Sequence, residues 1–178
     1  MALSATVYTF EIELADADRE VYESLEVRAA RHPSESEEYF VTRVLAYALE
    51  YGEGIAFSRG ISDPDEPAIT IRDLTGAIRA WIEVGSPDAA RLHKASKAAS
   101  RVAVYTHKDP HQLLRNLAGE KIHRVESVEF YAVDRELVRD LAARLERRMA
   151  FSMSVAGQTV YVSIDAATLS GSIIRLPL

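Results

Sequence analysis

The chain has 178 residues, which is long enough for one hydrophobic core, so residues 1–178 are expected to form a single domain. It has no cysteine, which excludes disulfides and thiolate metal sites. The formal net charge of -6 disfavours strong non-specific binding to nucleic acid but leaves room for a local basic patch. There is no apolar run of about 18 residues, as a membrane span needs, and no signal-peptide pattern. We therefore expect a cytoplasmic protein without a membrane partner.

Both ends of the chain have hairpin patterns. Polar and apolar residues alternate over residues 5–14 and 21–28, with a polar turn between them. Two further runs, 149–155 and 159–164, flank a turn at Gly157. A lone two-stranded hairpin is marginally stable in water, so the hairpins 5–28 and 149–164 are expected to form a second sheet together.

The middle of the chain alternates helices and strands. Ser34 and Glu37 have the spacing of a capping box, which predicts a helix that continues to about Tyr51. Further strands are predicted over 55–59, 68–73, 77–84, 102–106 and 127–133, and further helices over 87–100, 110–117 and 134–148. Residues 60–67 are predicted to be a loop. This order predicts an α/β fold with a mixed sheet.

The strands 68–73 and 77–84 are joined by a turn at Thr75 and Gly76 and predict a regular antiparallel hairpin. Without a bulge, Asp73 lies opposite Ile78 and Ala68 lies opposite Glu83. One face is then apolar: Ile69, Ile71, Ile78, Ala80, Ile82 and Val84. The other face is polar with one aromatic residue: Ala68, Thr70, Arg72, Arg79, Trp81 and Glu83. A carboxylate as deep in this hairpin as Glu83 needs a partner, a metal ion or a raised pKa.

Several sequence blocks around this hairpin resemble the YaeQ family: HPSES, DEP, DLTGAIRAWIEVGSP, RLHKASK and VYTH. The resemblance covers nearly the whole chain. It implies a PD-(D/E)XK nuclease-like core over about residues 33–133, built in the order helix, three strands, helix, strand. In that superfamily two acids hold magnesium and a lysine assists the attacking water.

The implied nuclease positions are only partly filled. Glu83 matches the acid of E-x-K, but Gly85 stands at the lysine position, and Pro67-Ala68 stands where Pro-Asp is expected. Since magnesium usually needs one or two protein carboxylates, Glu83 alone would be a poor site. Compensation is expected from a few nearby residues: Glu66 and Glu38 as further metal ligands, and Lys94 in place of the lysine. The catalytic set is therefore Glu83, Lys94 and Glu38.

A basic stretch follows Glu83. The cations Arg91, Lys94, Lys97 and Arg101 occur without an acid between them, and the last three have helical spacing if the helix reaches that far. The stretch predicts a surface that contacts nucleic-acid phosphates, and the alternative is an ordinary solvated helix face. Histidines such as His107 are expected at the surface, and Trp81 is expected to pack between sheet and helix rather than stack on a base.

Three functions remain open from the sequence. The first is a magnesium-dependent nuclease acting on DNA or RNA with a degenerate site. The second is a non-catalytic module, derived from a nuclease, that binds nucleic acid or a protein that handles it. The third is a protein-interaction domain without a role in nucleic-acid binding, which the acidic charge balance favours.

Overall fold

The computed structural model describes residues 4–58 and 65–177. Part of the predicted loop 60–67 and the end of the predicted strand 55–59 therefore lie outside the described residues. The helices are α1 (Glu37–Leu49), α2 (Ala89–Ala98), α3 (Pro110–Leu117) and α4 (Arg135–Ala142). The strands are β1 (Thr6–Asp16), β2 (Val21–Arg31), β3 (Ile55–Phe57), β4 (Ile69–Arg72), β5 (Ile78–Val84), β6 (Arg101–Thr106), β7 (Glu129–Val133), β8 (Arg148–Ala156), β9 (Thr159–Ile164) and β10 (Ala167–Leu176).

All ten of these strands belong to one sheet, so the prediction of a second sheet is wrong. Their order is β2-β1-β8-β9-β10-β7-β6-β5-β4-β3. The terminal hairpins do associate, because β1 pairs with β8 in parallel. The strand β10 then joins them to the rest of the sheet, since it pairs with β9 on one side and β7 on the other. No strand was predicted over 167–176, where serine, threonine and glycine weaken the alternating pattern.

The predicted element order of helix, three strands, helix, strand is present as α1, β3, β4, β5, α2 and β6. The three strands pair antiparallel, and β5 then pairs in parallel with β6. This arrangement brings the end of β5 close to the beginning of α1 and of α2, which positions the candidate site.

The sheet has a hydrophobic core on each face. The larger core lies between one face of the sheet and the helices α1 and α4. The smaller one lies on the opposite face, where β5, β6 and β7 pack against α2 and α3. Trp81 is at the centre of the smaller core and is 1% exposed, so the prediction that it packs between sheet and helix is confirmed. The face of the hairpin that was predicted to be polar is therefore largely buried.

The hairpin of β4 and β5 keeps the predicted register except near its turn. Three pairs agree with the prediction: Ile69 with Ile82, Thr70 with Trp81 and Ile71 with Ala80. A bulge between Ile71 and Arg72 then places Arg72 opposite Ile78. The extra residue moves the side chains beyond the bulge to the opposite face of the sheet. Ile78 therefore packs on the same side as Trp81 and not on the predicted core face.

Asp73 remains at the turn, away from Glu83. Its Oδ1 accepts hydrogen bonds from the main-chain N–H groups of Thr75 and Ala77, at 2.9 and 3.1 Å. Its Oδ2 accepts one from Arg79 at 2.9 Å. The bulge therefore does not bring Asp73 towards the site, and this aspartate stabilises the turn.

Two helix boundaries differ from the predictions in ways that affect the site. The N-cap of α1 is Ser36, which accepts a hydrogen bond from the Tyr39 N–H, so the predicted capping box of Ser34 and Glu37 is wrong. The helix α2 ends at Ala98, and Arg101 begins the strand β6. Arg101 therefore cannot continue a helical row of cations. Within the part of the chain that the structure describes, none of the helices has the length and hydrophobicity to cross a membrane.

Candidate functional site

A cavity of about 310 Å³ lies where the end of β5 meets the beginning of α1 and of α2. Its lining includes Glu83 and Glu66, two of the residues that were predicted to bind metal. The helix α1 contributes Tyr39 and Arg43, and α2 contributes Arg91. Glu83 and Glu66 thus share one cavity with two arginines.

Glu83 is only 3% exposed and its carboxylate is already paired. One of its oxygens, Oε1, accepts hydrogen bonds from Trp81 Nε1 at 2.6 Å and from Arg91 Nε at 2.7 Å. Burial raises the pKa of Glu83, and the positive charge of Arg91 opposes that rise. A partner, a metal ion or a raised pKa was expected for a carboxylate at this depth. Arg91 in the first turn of α2 is that partner.

Arg91 is held by groups on both sides of the cavity. Besides its ion pair with Glu83, its Nη2 donates to the Glu66 carbonyl oxygen at 2.5 Å. The first turn of α2 is fixed by its N-cap Asp88, which accepts from the Arg91 N–H at 2.8 Å. Arg91 was predicted to contact nucleic-acid phosphate from a basic helix face. The structure places its guanidinium beside the buried carboxylate in the cavity.

The remaining predicted ligand, Glu38, and the predicted lysine, Lys94, lie outside the lining of this cavity. Glu38 is exposed at the beginning of α1, and its charge acts on His107. Lys94 is exposed on α2 and forms an ion pair with Asp65. Of the predicted catalytic set of Glu83, Lys94 and Glu38, Glu83 is therefore the one member that lines the cavity.

Lys97 and Arg101, the two remaining cations of the predicted basic surface, lie in different surroundings. Lys97 is exposed on α2, as expected. Arg101 donates to both carboxylate oxygens of Glu50, at 2.6 and 2.9 Å, and also pairs with Glu129 at 2.7 Å. Tyr105 adds a hydroxyl hydrogen bond to Glu50 at 2.6 Å. Arg101 therefore joins the end of α1 to β6 and β7, and is not part of a phosphate-facing row.

Gly85 stands at the lysine position of E-x-K. It has a φ of +90°, in a region that residues other than glycine adopt with strain. A Cβ atom built there would lie 3.4 Å from the Tyr39 ring, which is an ordinary contact distance. The position two residues after Glu83 is thus restricted by its backbone conformation.

Tyr39 and Arg43 line the cavity but were not predicted as site residues from the sequence. They lie four residues apart on α1, a spacing that places both on one helix face. Burial and the nearby Glu83 carboxylate raise the pKa of Tyr39 to about 12. Arg43 is 3% exposed, and its Nη2 donates to the Ala30 carbonyl oxygen and to Glu35. An arginine in the middle of an otherwise apolar helix face was the available signal.

His107 was expected at the surface, and this is wrong. It follows β6 directly and is 4% exposed, with its ring 6.3 Å from that of Tyr39. Burial lowers its pKa to about 4, so the imidazole is neutral at neutral pH. Neither ring nitrogen has a hydrogen-bond partner among the described residues.

The side chains around the cavity do not fit a magnesium ion. Over residues 4–58 and 65–177, no three histidine, aspartate or glutamate side chains converge as ligands. Magnesium requires nearly octahedral oxygen coordination, and Glu83 is engaged with a guanidinium. Glu66 is the one further acidic side chain of the described residues that lines the cavity with it.

Comparison with known proteins identifies relatives that match over nearly the full chain. The model of the YaeQ protein family matches residues 1–172. "Uncharacterized protein YaeQ" of Escherichia coli K12 is 31% identical over 170 residues, which are 95% of this chain and 94% of the relative. The corresponding Salmonella typhi protein is 30% identical over 92% of this chain and 91% of its own.

Two crystal structures of YaeQ proteins have the same fold. The protein from Pseudomonas syringae superposes with a TM-score of 0.88 at 35% identity, covering 98% of this chain and 97% of that one. The protein from Xanthomonas axonopodis pv. citri also gives a TM-score of 0.88, at 28% identity and with 98% and 99% coverage. The family model, the sequence relatives and the structures agree, and this chain belongs to the YaeQ family.

Proposed function

We propose that this chain is a nuclease-derived protein that binds nucleic acid through the Glu83 cavity and α2 without cutting it. The element order from α1 to β6 supports a PD-(D/E)XK-like core. The observation that carries the proposal is the position of Arg91, whose guanidinium contacts both the Glu83 carboxylate and the Glu66 carbonyl oxygen. In a nuclease of this type, a metal ion would be expected beside that carboxylate.

The ion pair opposes metal binding for an energetic reason. Separating a buried ion pair typically costs about 3–5 kcal/mol, because the remaining charge is left without a partner. A quarter of the Arg91 side chain is exposed, so the cost of separating it from Glu83 lies below the upper end of that range. A metal ion would have to displace this guanidinium and then find further ligands that the described residues do not bring together.

The surface of α2 supports binding to nucleic acid. This helix has no acidic residue between Ala89 and Ala98, and it exposes Lys94 and Lys97 on the same helix as Arg91, which lines the cavity. Lysines at such positions bind backbone phosphates and release counterions, which makes the affinity fall with salt. This local charge distribution compensates for the acidic balance of the whole chain.

The proposal predicts binding without cleavage. We expect labelled DNA and RNA strands to bind with an affinity that falls steeply with salt, and to stay intact in magnesium or manganese. The double variant Lys94→Glu with Lys97→Glu should lower the slope of log affinity against log salt concentration by about two. Each lysine contributes about one phosphate contact. The measurement is fluorescence anisotropy across a salt series, with gel analysis of the strands.

A matched control carries the same change of charge on another helix. Arg139→Glu with Arg144→Glu alters two exposed positions in or directly after α4, and we expect it to leave the slope nearly unchanged. Equal losses in both double variants would mean that net charge alone governs binding. Absence of binding at low salt would overturn the proposal and favour a protein-interaction domain.

The alternative function is a metal-dependent nuclease, and the cavity shared by Glu66 and Glu83 favours it. Cleavage that requires magnesium or manganese and disappears in Glu83→Ala would establish this alternative against our proposal. Lys94→Ala tests the predicted role of Lys94 in the same assay. Cleavage that persists in Glu83→Ala would indicate a contaminating nuclease, and the proposal would stand.

A further inference from the structure

Arg43 has hydrogen-bond donors that no described residue uses. Its Nη2 donates to the Ala30 carbonyl oxygen at 2.7 Å and to Glu35 at 3.1 Å. Its Nε is buried without a partner, and Nη1 makes no hydrogen bond to a described residue. This is unusual for a side chain that is 3% exposed, since buried polar atoms are nearly always hydrogen-bonded.

The guanidinium of Arg43 is held in place beside the cavity. Its guanidinium packs against two aromatic rings, with 5.2 Å to the Phe40 centroid and 5.1 Å to that of Phe57. These rings and the bond to Ala30 hold the planar group in one place. Arg43 lines the same cavity as Arg91, so two guanidinium groups on different helices border one space.

We propose that this cavity binds a phosphate monoester through Arg43 and Arg91. The inference rests on the proposed function and specifies which part of a nucleic acid enters the cavity, namely a strand end that carries a terminal phosphate. The same chemistry would also accept a mononucleotide or inorganic phosphate. Guanidinium groups suit this ligand because their planar N–H donors match phosphate oxygens in pairs.

The cavity has the size and the donors for such a group. Its volume of about 310 Å³ is at the lower end of the range for small-molecule sites, which suits a phosphate with part of one nucleotide and not a duplex. Tyr39, Ser58 and Ser86 also line it and bring hydroxyl groups. A monoester presents three terminal oxygens and a diester only two non-bridging ones, so a cavity with several donors favours the monoester.

The charges around the cavity favour selectivity over strong general attraction. Arg43 and Arg91 are balanced by the buried acids Glu35 and Glu83 with which they pair. An anion is therefore recognised by hydrogen bonds at fixed positions and gains little from net positive charge. This distinguishes the cavity from the exposed lysines of α2, whose contribution depends on salt.

The test compares strands that differ only at the 5′ end. We expect a 5′-phosphorylated oligonucleotide to bind at least tenfold more tightly than the same strand with a 5′-hydroxyl. Inorganic phosphate should remove this difference by competition. Arg43→Lys should reduce the preference to less than threefold, because lysine cannot place two donors in one plane. Arg19→Lys changes an arginine outside the cavity lining and should keep the preference.

Other variants keep the test decisive where Arg43→Lys fails to fold. Tyr39→Phe removes one hydroxyl, and Arg91→Lys changes the partly exposed guanidinium; each should reduce the preference for the phosphorylated end. Unchanged preference in both variants would overturn the inference. Circular dichroism of every variant checks that the fold is intact.

The outcomes distinguish a failure of the cavity inference from a failure of the proposed function. If both strands bind equally, the cavity inference fails while binding to nucleic acid stands. If neither strand binds but inorganic phosphate or a mononucleotide does, binding to nucleic acid fails and the cavity is a site for small phosphates. If none of these ligands binds, both ideas are overturned.

Discussion

Gly85 is the residue at which the backbone most directly limits the chemistry of the site. Its left-handed φ of +90° turns the chain sharply after β5, and its N–H donates to the Tyr105 carbonyl oxygen at 2.9 Å. A lysine two residues after Glu83 would have to adopt this conformation beside the Tyr39 ring. A lysine substituted at this position would therefore be strained by the way β5 ends.

Gly85→Ala should lower the free energy of unfolding by about 1–2 kcal/mol, the typical cost of a left-handed conformation for a residue with a Cβ atom. Gly76 is a matched control, because its φ is +87° and no atom lies within 4 Å of a Cβ built there. Because the Tyr39 ring lies at an ordinary contact distance from a Cβ atom built at Gly85, we expect Gly85→Ala and Gly76→Ala to lose similar amounts of stability. Urea unfolding of both variants measures the two losses; a clearly larger loss for Gly85→Ala would show that the Tyr39 contact adds a cost of its own.

At this scale, the sequence predicted Glu83 better than it predicted the partners of Glu83. Strand alternation and the turn placed this carboxylate deep in the hairpin, and the structure confirms its burial. Arg91 and Arg43 reach the cavity from helices whose packing depends on the rest of the sheet. Their convergence is a tertiary feature, and the spacing of residues along the chain does not contain it.

The helix α1 shows the limits of sequence patterns at the scale of an element. Its existence was predicted, yet its first residue was not, because Ser34 and Ser36 are both residues favoured at an N-cap and only Ser34 has a glutamate three residues later. Ser34 instead belongs to a turn in which its hydroxyl lies 2.6 Å from His32 Nδ1. The true start at Ser36 sets the position of Tyr39, and so one wall of the cavity.

Ser36→Ala should lower the free energy of unfolding by about 1 kcal/mol, since it leaves the Tyr39 N–H without its 3.0 Å acceptor. Ser34→Ala removes the same hydroxyl two residues earlier and should have an effect within about 0.5 kcal/mol. Thermal and urea unfolding of both variants give the comparison. A larger loss for Ser34→Ala would mean that the helix begins as the capping-box pattern predicts.

At the scale of the whole molecule, β10 unites two halves that the sequence suggested were separate sheets. One half contains the terminal hairpins, and the other contains β3 to β7. Hairpins were predictable because their turns and alternation are local. The parallel pairing of β1 with β8 and the bridging by β10 join segments distant in sequence, so local patterns could not reveal them.

Gly171 in β10 provides a test of this union. A Cβ atom there would lie 2.7 Å from the Cβ of Asp134 and 2.8 Å from that of Leu137, so Gly171→Ala must push α4 away from the sheet. We expect a loss of about 1–3 kcal/mol of stability, as for other overpacked sites. Ser170→Ala, at an exposed neighbouring position, should change little.

The decisive readout of Gly171→Ala is whether both halves of the sheet respond together. Trp81 is the single tryptophan of the chain and lies in β5, several strands away from β10. Its fluorescence reports on the β3–β7 half, while far-UV circular dichroism reports on all elements. If β10 makes the sheet one cooperative unit, both signals should shift to the same lower midpoint in urea. A fluorescence transition that keeps the wild-type midpoint would show that the halves unfold independently.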